Sequence, residues 1–131
     1  MNKTVLIVDD SEFVRNYHSA ILVGANFNVT TAADGMEALE KLLTCPCDLI
    51  MTDINMQGLD GYEFIRRVRA EKQYDDLPIV IVSTESEGKN KKKGFEAGAN
   101  LYLCKPCTPE VMVENLRMVV GNSVRSMGPK P

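Results

Sequence analysis

Five short apolar runs, each parted from the next by a stretch of helical periodicity, constrain this chain more than any other feature. The runs are Thr4 to Val8, Asn28 to Ala32, Asp48 to Thr52, Ile79 to Val82 and Leu101 to Cys104. Three of them are nearly continuous in apolar residues, the pattern of strands buried on both faces of a parallel sheet. The second is more mixed and is expected at an edge. A strand–helix alternation repeated in this way predicts an α/β fold: a doubly wound, five-stranded parallel sheet with helices on both faces.

The intervening segments carry helix signals. Phe13, Tyr17, Ala20, Ile21 and Gly24 share one face of a first helix, which is the face expected to turn inward. Asp34-Gly-Met-Glu37 and Asp60-Gly-Tyr-Glu63 are capping boxes opening the second and third helices. Their expected inward residues are Met36, Leu39 and Leu43, then Phe64, Ile65 and Val68. A fourth helix runs from about Ser86 to Ala97 and stops at Gly98. Thr108-Pro109 starts the fifth, with Met112, Leu116, Val119 and Val120 as its apolar stripe. From Gly121 the periodicity is lost. The expected organisation is one domain over residues 1–120 and a flexible tail over 121–131.

Composition narrows the function classes. At 131 residues there is room for one core; 44% apolar and 25% charged residues are globular values. The net charge of −3 argues against nucleic acid as a partner, and no apolar run approaches a membrane span. No secretory signal is visible, so a cytoplasmic location is expected. Of the four cysteines, Cys45 and Cys47 precede a strand while Cys104 and Cys107 follow one. A strand length separates the pairs, too far for one tetrahedral zinc site. Cys104-Lys-Pro-Cys107 leaves a minor place for a redox motif, but free thiols in a reducing compartment are the simpler reading.

The polar residues that stand just past the strands carry the chemistry. The first strand runs into Asp9-Asp10, the third into Asp53, the fourth into Ser83-Thr84 and the fifth into Lys105-Pro106. Ligands of open α/β sheets bind outside these carboxyl ends. Taken singly, an Asp-Asp pair is a helix cap and a Lys-Pro a loop; their coincidence at one sheet edge is what points to a site. Clustered carboxylates repel and recruit a cation, and all-oxygen ligation suits Mg²⁺. A lysine and a hydroxyl beside that ion suit phosphoryl oxygens, and a carboxylate can itself become an aspartyl phosphate.

These residues resemble the receiver domain of two-component response regulators over roughly Lys3 to Val120. The likeness is carried by the run from Val5 to Asp10, by Asp48 to Met56, by Gly58-Leu-Asp-Gly61, by Pro78 to Ser83 and by Gly98 to Pro106. The single-domain chemotaxis regulators are the most similar form. The resemblance implies a flavodoxin-like sheet of order 2-1-3-4-5. It also implies that Asp53 accepts a phosphoryl group from a sensor histidine kinase. Asp10, Asp53 and the Asn55 carbonyl would hold Mg²⁺, with Asp9 contributing through water. Lys105 and Ser83 would bind phosphoryl oxygens. Tyr102 would turn into the space Ser83 vacates and so expose a surface on the fourth helix, fifth strand and fifth helix.

That surface would bind a downstream protein, such as a flagellar motor or relay protein, and a phosphatase is a further partner of the kind; a monomer is expected. Gln57 stands where proline is usual and Thr84 where a smaller residue is common. Thr84 would slow attack by water, whereas Asn55 with Glu85 resembles the short-lived type, so phosphoryl lifetime carries opposing indications. Lys89, Lys91, Lys92 and Lys93 form a solvated basic face suited to an acidic docking motif. His18 reads as an ordinary surface or boundary residue. The alternatives are a phosphorelay intermediate, a regulator outside motility, or a receiver once followed by an effector domain. A haloacid-dehalogenase-type Mg²⁺ phosphatase is the distant one, since Asn55 replaces the second carboxylate that chemistry needs. Self-phosphorylation and slow hydrolysis are the only catalysis expected.

Overall fold

A computed structural model describes residues 2–127 of the chain, with side chains through residue 121. The elements alternate as β1 (Thr4–Val8), α1 (Glu12–Gly24), β2 (Asn28–Ala32), α2 (Gly35–Thr44), β3 (Leu49–Thr52), α3 (Gly61–Arg69), β4 (Ile79–Ser83), α4 (Gly88–Ala97), β5 (Leu101–Cys104) and α5 (Pro109–Met127). A short 3₁₀ turn at Lys72–Tyr74 joins α3 to β4. All strand pairs are parallel, in the order β2-β1-β3-β4-β5. The mixed β2 therefore lies at an edge and the three apolar strands lie inside, as their compositions require.

Period-two alternation divides the core in two. Leu6 and Val8 of β1, Ile50 of β3 and Ile79 and Ile81 of β4 point to one face, where α2, α3 and α4 contribute Leu42, Phe64, Ile65, Val68 and Ala97. Val5, Ile7, Met51, Val80 and Val82 point to the other, beneath Leu22 of α1 and Met112, Leu116, Val119 and Val120 of α5. The inward faces expected for α3 and α5 are those observed.

For α1 and α2 the expected faces are met only in part: Ile21 and Leu39 pack half-buried against the core, but the larger residues beside them do not. Phe13 and Tyr17 are 79% and 48% exposed, and α1 buries His18 and Leu22 instead. Met36 and Leu43 are 58% and 74% exposed, while α2 buries Gly35, Ala38 and Leu42. The physical reason in α2 is closeness. A Cβ at Gly35 would lie 3.0 Å from the Leu59 side chain, so the helix approaches its neighbours through its smallest residues and turns the large ones outward. In α1 the face one residue further on, with His18 and Leu22, meets the sheet, and the Arg15 guanidinium donates to the Asp9 carbonyl at 2.7 Å. His18 is thus buried rather than at the surface; burial lowers its pKa, with the Lys105 charge adding to the effect and Asp9 opposing it.

At the C-terminus α5 continues through Gly121 to Met127, where loss of apolar periodicity suggested a tail from Gly121. The last four residues of that expected tail lie outside the described residues. No helix among the described residues is long and apolar enough to cross a membrane.

Candidate functional site

The carboxyl ends of β1, β3 and β5 meet at one point. Lys105 Nζ donates to Asp9 Oδ2 at 3.0 Å and to Asp53 Oδ2 at 3.3 Å, joining residues 96 and 52 positions away in sequence. The three side chains are largely withdrawn from water, at 17%, 4% and 13% exposure. Burial by itself would lower the lysine's pKa. The hydrogen bond that Lys105 donates to Asp9 and the charges of Asp53 and Asp9 outweigh it and hold its pKa above the ordinary value. Lys105 is therefore a fixed cation between two anions.

Local backbone chemistry aims each carboxylate. Asp9 Oδ1 accepts the Ser11 amide at 2.9 Å, and Ser11 Oγ caps α1 at Val14. Asp53 Oδ1 accepts the Ile54 amide at 2.6 Å, and Thr52 Oγ1 donates to the Asp53 carbonyl at 2.8 Å. Asp53 Oδ2 is the oxygen turned to the lysine. The loop beyond it is compressed, because Gly61 N donates to the Ile54 carbonyl at 2.8 Å. A Cβ on Gly61 would stand 2.3 Å from the Asp53 carbonyl oxygen, so only glycine admits α3 this close.

Ser83, at the end of β4, is fully buried and its Oγ accepts the Glu85 amide at 3.1 Å. Its carbonyl accepts the Lys105 amide at 2.7 Å, locking β4 to β5 at the site. Tyr102 is buried, with its hydroxyl donated to the Glu85 carbonyl at 2.7 Å. The Lys105-Pro106 peptide is cis. Asp10, Asn55, Thr84 and Glu85 are exposed around the rim. Of the three carboxylates expected to converge, Asp9 and Asp53 are bridged through the lysine and Asp10 stands outside the bridge. Among the described residues no group of three or more His, Cys, Asp or Glu side chains is gathered so as to hold a metal ion by itself.

The thiols separate as well as the strands do. Cys45 and Cys47 precede β3 at the opposite edge of the sheet, and all four cysteines are free. Cys104 packs against the α2–α4 cluster and Cys107 against the α1–α5 cluster, so the sheet stands between the members of the C-x-x-C pair. Cys47 is a half-buried thiol whose pKa desolvation pushes up to about 11.

Two contacts around the site were not legible from residue spacing. Arg15 braces the Asp9 carbonyl, and its signal is only a cation one turn inside the helix after an acidic loop. Tyr62, at the start of α3, donates to the Asn90 carbonyl in the first turn of α4 at 3.2 Å; nothing in the sequence indicates that reach.

Comparison with known proteins agrees with this geometry. Residues 5–117 match the family described as the response regulator receiver domain. A chemotaxis protein CheY homolog of Campylobacter jejuni is 39% identical over 120 residues, covering 89% of this chain and 92% of the relative. Chemotaxis protein CheY1 of Helicobacter pylori is 33% identical over 121 residues, covering 91% and 98%. The structure of Vibrio cholerae chemotaxis protein CheY4 superposes with a TM-score of 0.87 at 39% identity, covering 91% of this chain and 99% of that one. A parallel sheet of this order, with an aspartate pair, a lone aspartate and a lysine at its carboxyl edge, belongs to one family here: the chain is a response regulator receiver domain, similar to the chemotaxis regulator CheY.

Proposed function

We propose that this receiver is a phosphorylation-activated switch of a cytoplasmic two-component pathway, of the chemotaxis type, with Asp53 as phosphoacceptor. The observation that carries the reading is the Lys105 ammonium held against Asp53 Oδ2. It marks where a cation is already placed to neutralise charge on incoming phosphoryl oxygens. An Asp53 carboxylate oxygen attacks phosphorus of a phosphohistidine on a sensor kinase. The P–N bond breaks as the P–O bond forms, and the departing imidazole keeps or takes a proton to leave neutral. Lys105 then turns from the carboxylate to a phosphoryl oxygen, and the Ser83 hydroxyl exchanges the Glu85 amide for another.

Mg²⁺ fits the donor set, since it is bound through one or two carboxylates and retains several waters, and a full protein cage is not its habit. Asp10 on the rim, Asp53 and the Asn55 carbonyl would hold it, with Asp9 through water. When bound it supplies charge neutralisation for the transferring phosphoryl group. Asn55, Thr84 and Glu85 border the approach of water and set the lifetime of the acyl phosphate. Tyr102 answers the movement of Ser83, and α4, β5 and α5 present the altered surface. There Lys89, Lys91, Lys92 and Lys93 favour an acidic segment of the output protein.

Intact-mass measurement after incubation with acetyl phosphate tests the reading. Wild-type protein with Mg²⁺ should gain one phosphoryl group, and Asp53→Asn should gain none. A wild-type chain that stays unmodified with Mg²⁺ present would overturn it.

A further inference from the structure

Two tyrosine hydroxyls fasten the segment that leads into α4, and only one of them belongs to the Ser83–Tyr102 pair. Tyr102 reaches the Glu85 carbonyl from β5 at 2.7 Å. Tyr62 reaches the Asn90 carbonyl from α3 at 3.2 Å. Tyr62 is buried at 5% exposure, and the Lys93 ammonium lies over its ring, 4.7 Å from the centroid. One aromatic ring therefore holds α4 through a backbone carbonyl and a lysine of its basic face.

The position of Tyr62 in the chain gives this contact its meaning. Its neighbour Gly61 is pressed on Asp53, with space for a Cβ denied by the Asp53 carbonyl oxygen at 2.3 Å and Ile54 Cα at 2.6 Å. A displacement of the Asp53 backbone thus has no slack to absorb it before it meets the first residue of α3. The second residue of α3 is the one that grips α4. On its other side α4 rests on Ile81 and Tyr102 through Gly94, where a Cβ would lie 2.6 Å from Ile81 Cδ1 and 3.3 Å from Tyr102 Cδ2. Burial, with the nearby charges of Glu85 and Asp60 adding to it, raises the Tyr62 pKa and keeps its hydroxyl a donor.

We propose that Tyr62 is a positioning residue that carries displacement at Asp53 through α3 to the first turn of α4, a second route beside Ser83 and Tyr102. It sets the placement of the lysine face that meets the output partner. The inference rests on Asp53 being the phosphoacceptor. Phosphorylation moves the α3 start, the Tyr62 hydroxyl and ring follow it, and Asn90 and Lys93 are drawn with them. The Ser83–Tyr102 pair acts separately on Glu85.

The test compares wild type, Tyr62→Phe and Lys93→Gln by backbone NMR, before and after adding beryllium trifluoride with Mg²⁺ as a phosphoryl mimic. Phenylalanine keeps the ring and removes only the hydroxyl; glutamine removes only the cation. Amide shift changes at Asn90 to Lys93 should fall about twofold or more in Tyr62→Phe, and by less in Lys93→Gln. Changes at Thr84 and Tyr102, and the mimic's affinity, should remain those of wild type. Unaltered α4 responses in Tyr62→Phe would overturn the proposal, as would a uniform loss at every probe, which marks a merely structural role. A wild-type chain that responds nowhere to the mimic overturns the phosphoacceptor reading itself, and this inference with it.

Discussion

At the amino-terminal edge of the sheet, Arg69 spreads its guanidinium over three acceptors, the carbonyls of Gly98 and Tyr74 and Asn100 Oδ1, at 3.0, 2.7 and 2.9 Å. Asn100 Oδ1 also accepts the Ile79 amide, and Asp48 Oδ2 accepts that of Thr4, both at 2.8 Å. At the carboxyl-terminal edge one lysine serves the buried Asp9 and the half-buried Asp53, and Asp10 stands outside on the rim. The first arrangement ties strand starts together with donors matched to acceptors. The second holds more negative than positive charge in a confined space, so it favours a further cation or an incoming group that the cation can bind. A polar cluster that closes on itself stabilises, and one left out of balance is disposed to react.

Removing the cation from each edge should separate the two roles. Lys105→Met strands the buried Asp9 and the half-buried Asp53 and is expected to lower stability by about 4 kcal/mol in metal-free solution. Added Mg²⁺ should restore part of that loss, because an ion binding only the folded chain stabilises it. Denaturant unfolding with and without Mg²⁺ reads both effects; no metal-dependent recovery would place the carboxylates out of reach of an ion. Next in size is Gly61→Ala, whose methyl meets backbone rather than a movable side chain. We expect a loss of about 3 kcal/mol together with slowed phosphorylation, since the clash falls on the Asp53 carbonyl itself.

At the closed edge, Arg69→Lys keeps the charge but cannot span three acceptors. A loss of about 2 kcal/mol with acetyl phosphate labelling unchanged is expected. Impaired labelling there would show that the two edges are coupled. The smallest effect concerns Cys47, beside the same edge. Its pKa is raised from 9.0 to about 11 in the fold, so the protonated thiol is favoured by folding. That contribution is fully present below pH 9 and is lost as pH rises toward about 11. The difference between wild-type and Cys47→Ala unfolding free energies should shrink across that interval and stay constant below it.

The sheet was legible because buried parallel strands leave apolar runs that no other element shares, and β1, β2 and β5 begin and end where the runs do. Convergence of Asp9, Asp53 and Lys105 followed from the topology alone, since all three stand one residue past a strand. Helix rotation was less legible. In α1 two stripes compete, and the structure buries His18 and Leu22 in place of the aromatic one, so side-chain size alone does not tell which face turns inward. In α2 close approach selected Gly35 and Ala38 over Met36 and Leu43. The Tyr62 contact depends on the relative placement of two helices, 28 residues apart at the bond, which periodicity does not encode.

The central claim is that the imbalance at the carboxyl edge is resolved on Asp53 and nowhere else. Labelling with acetyl phosphate and Mg²⁺, borohydride reduction of the acyl phosphate, and peptide mass mapping address it directly. The account predicts conversion of Asp53 alone to homoserine, with Asp9 and Asp10 recovered as aspartate. Homoserine at Asp9 or Asp10, or a phosphoryl group found only on a hydroxyl such as Ser83 or Thr84, would contradict it.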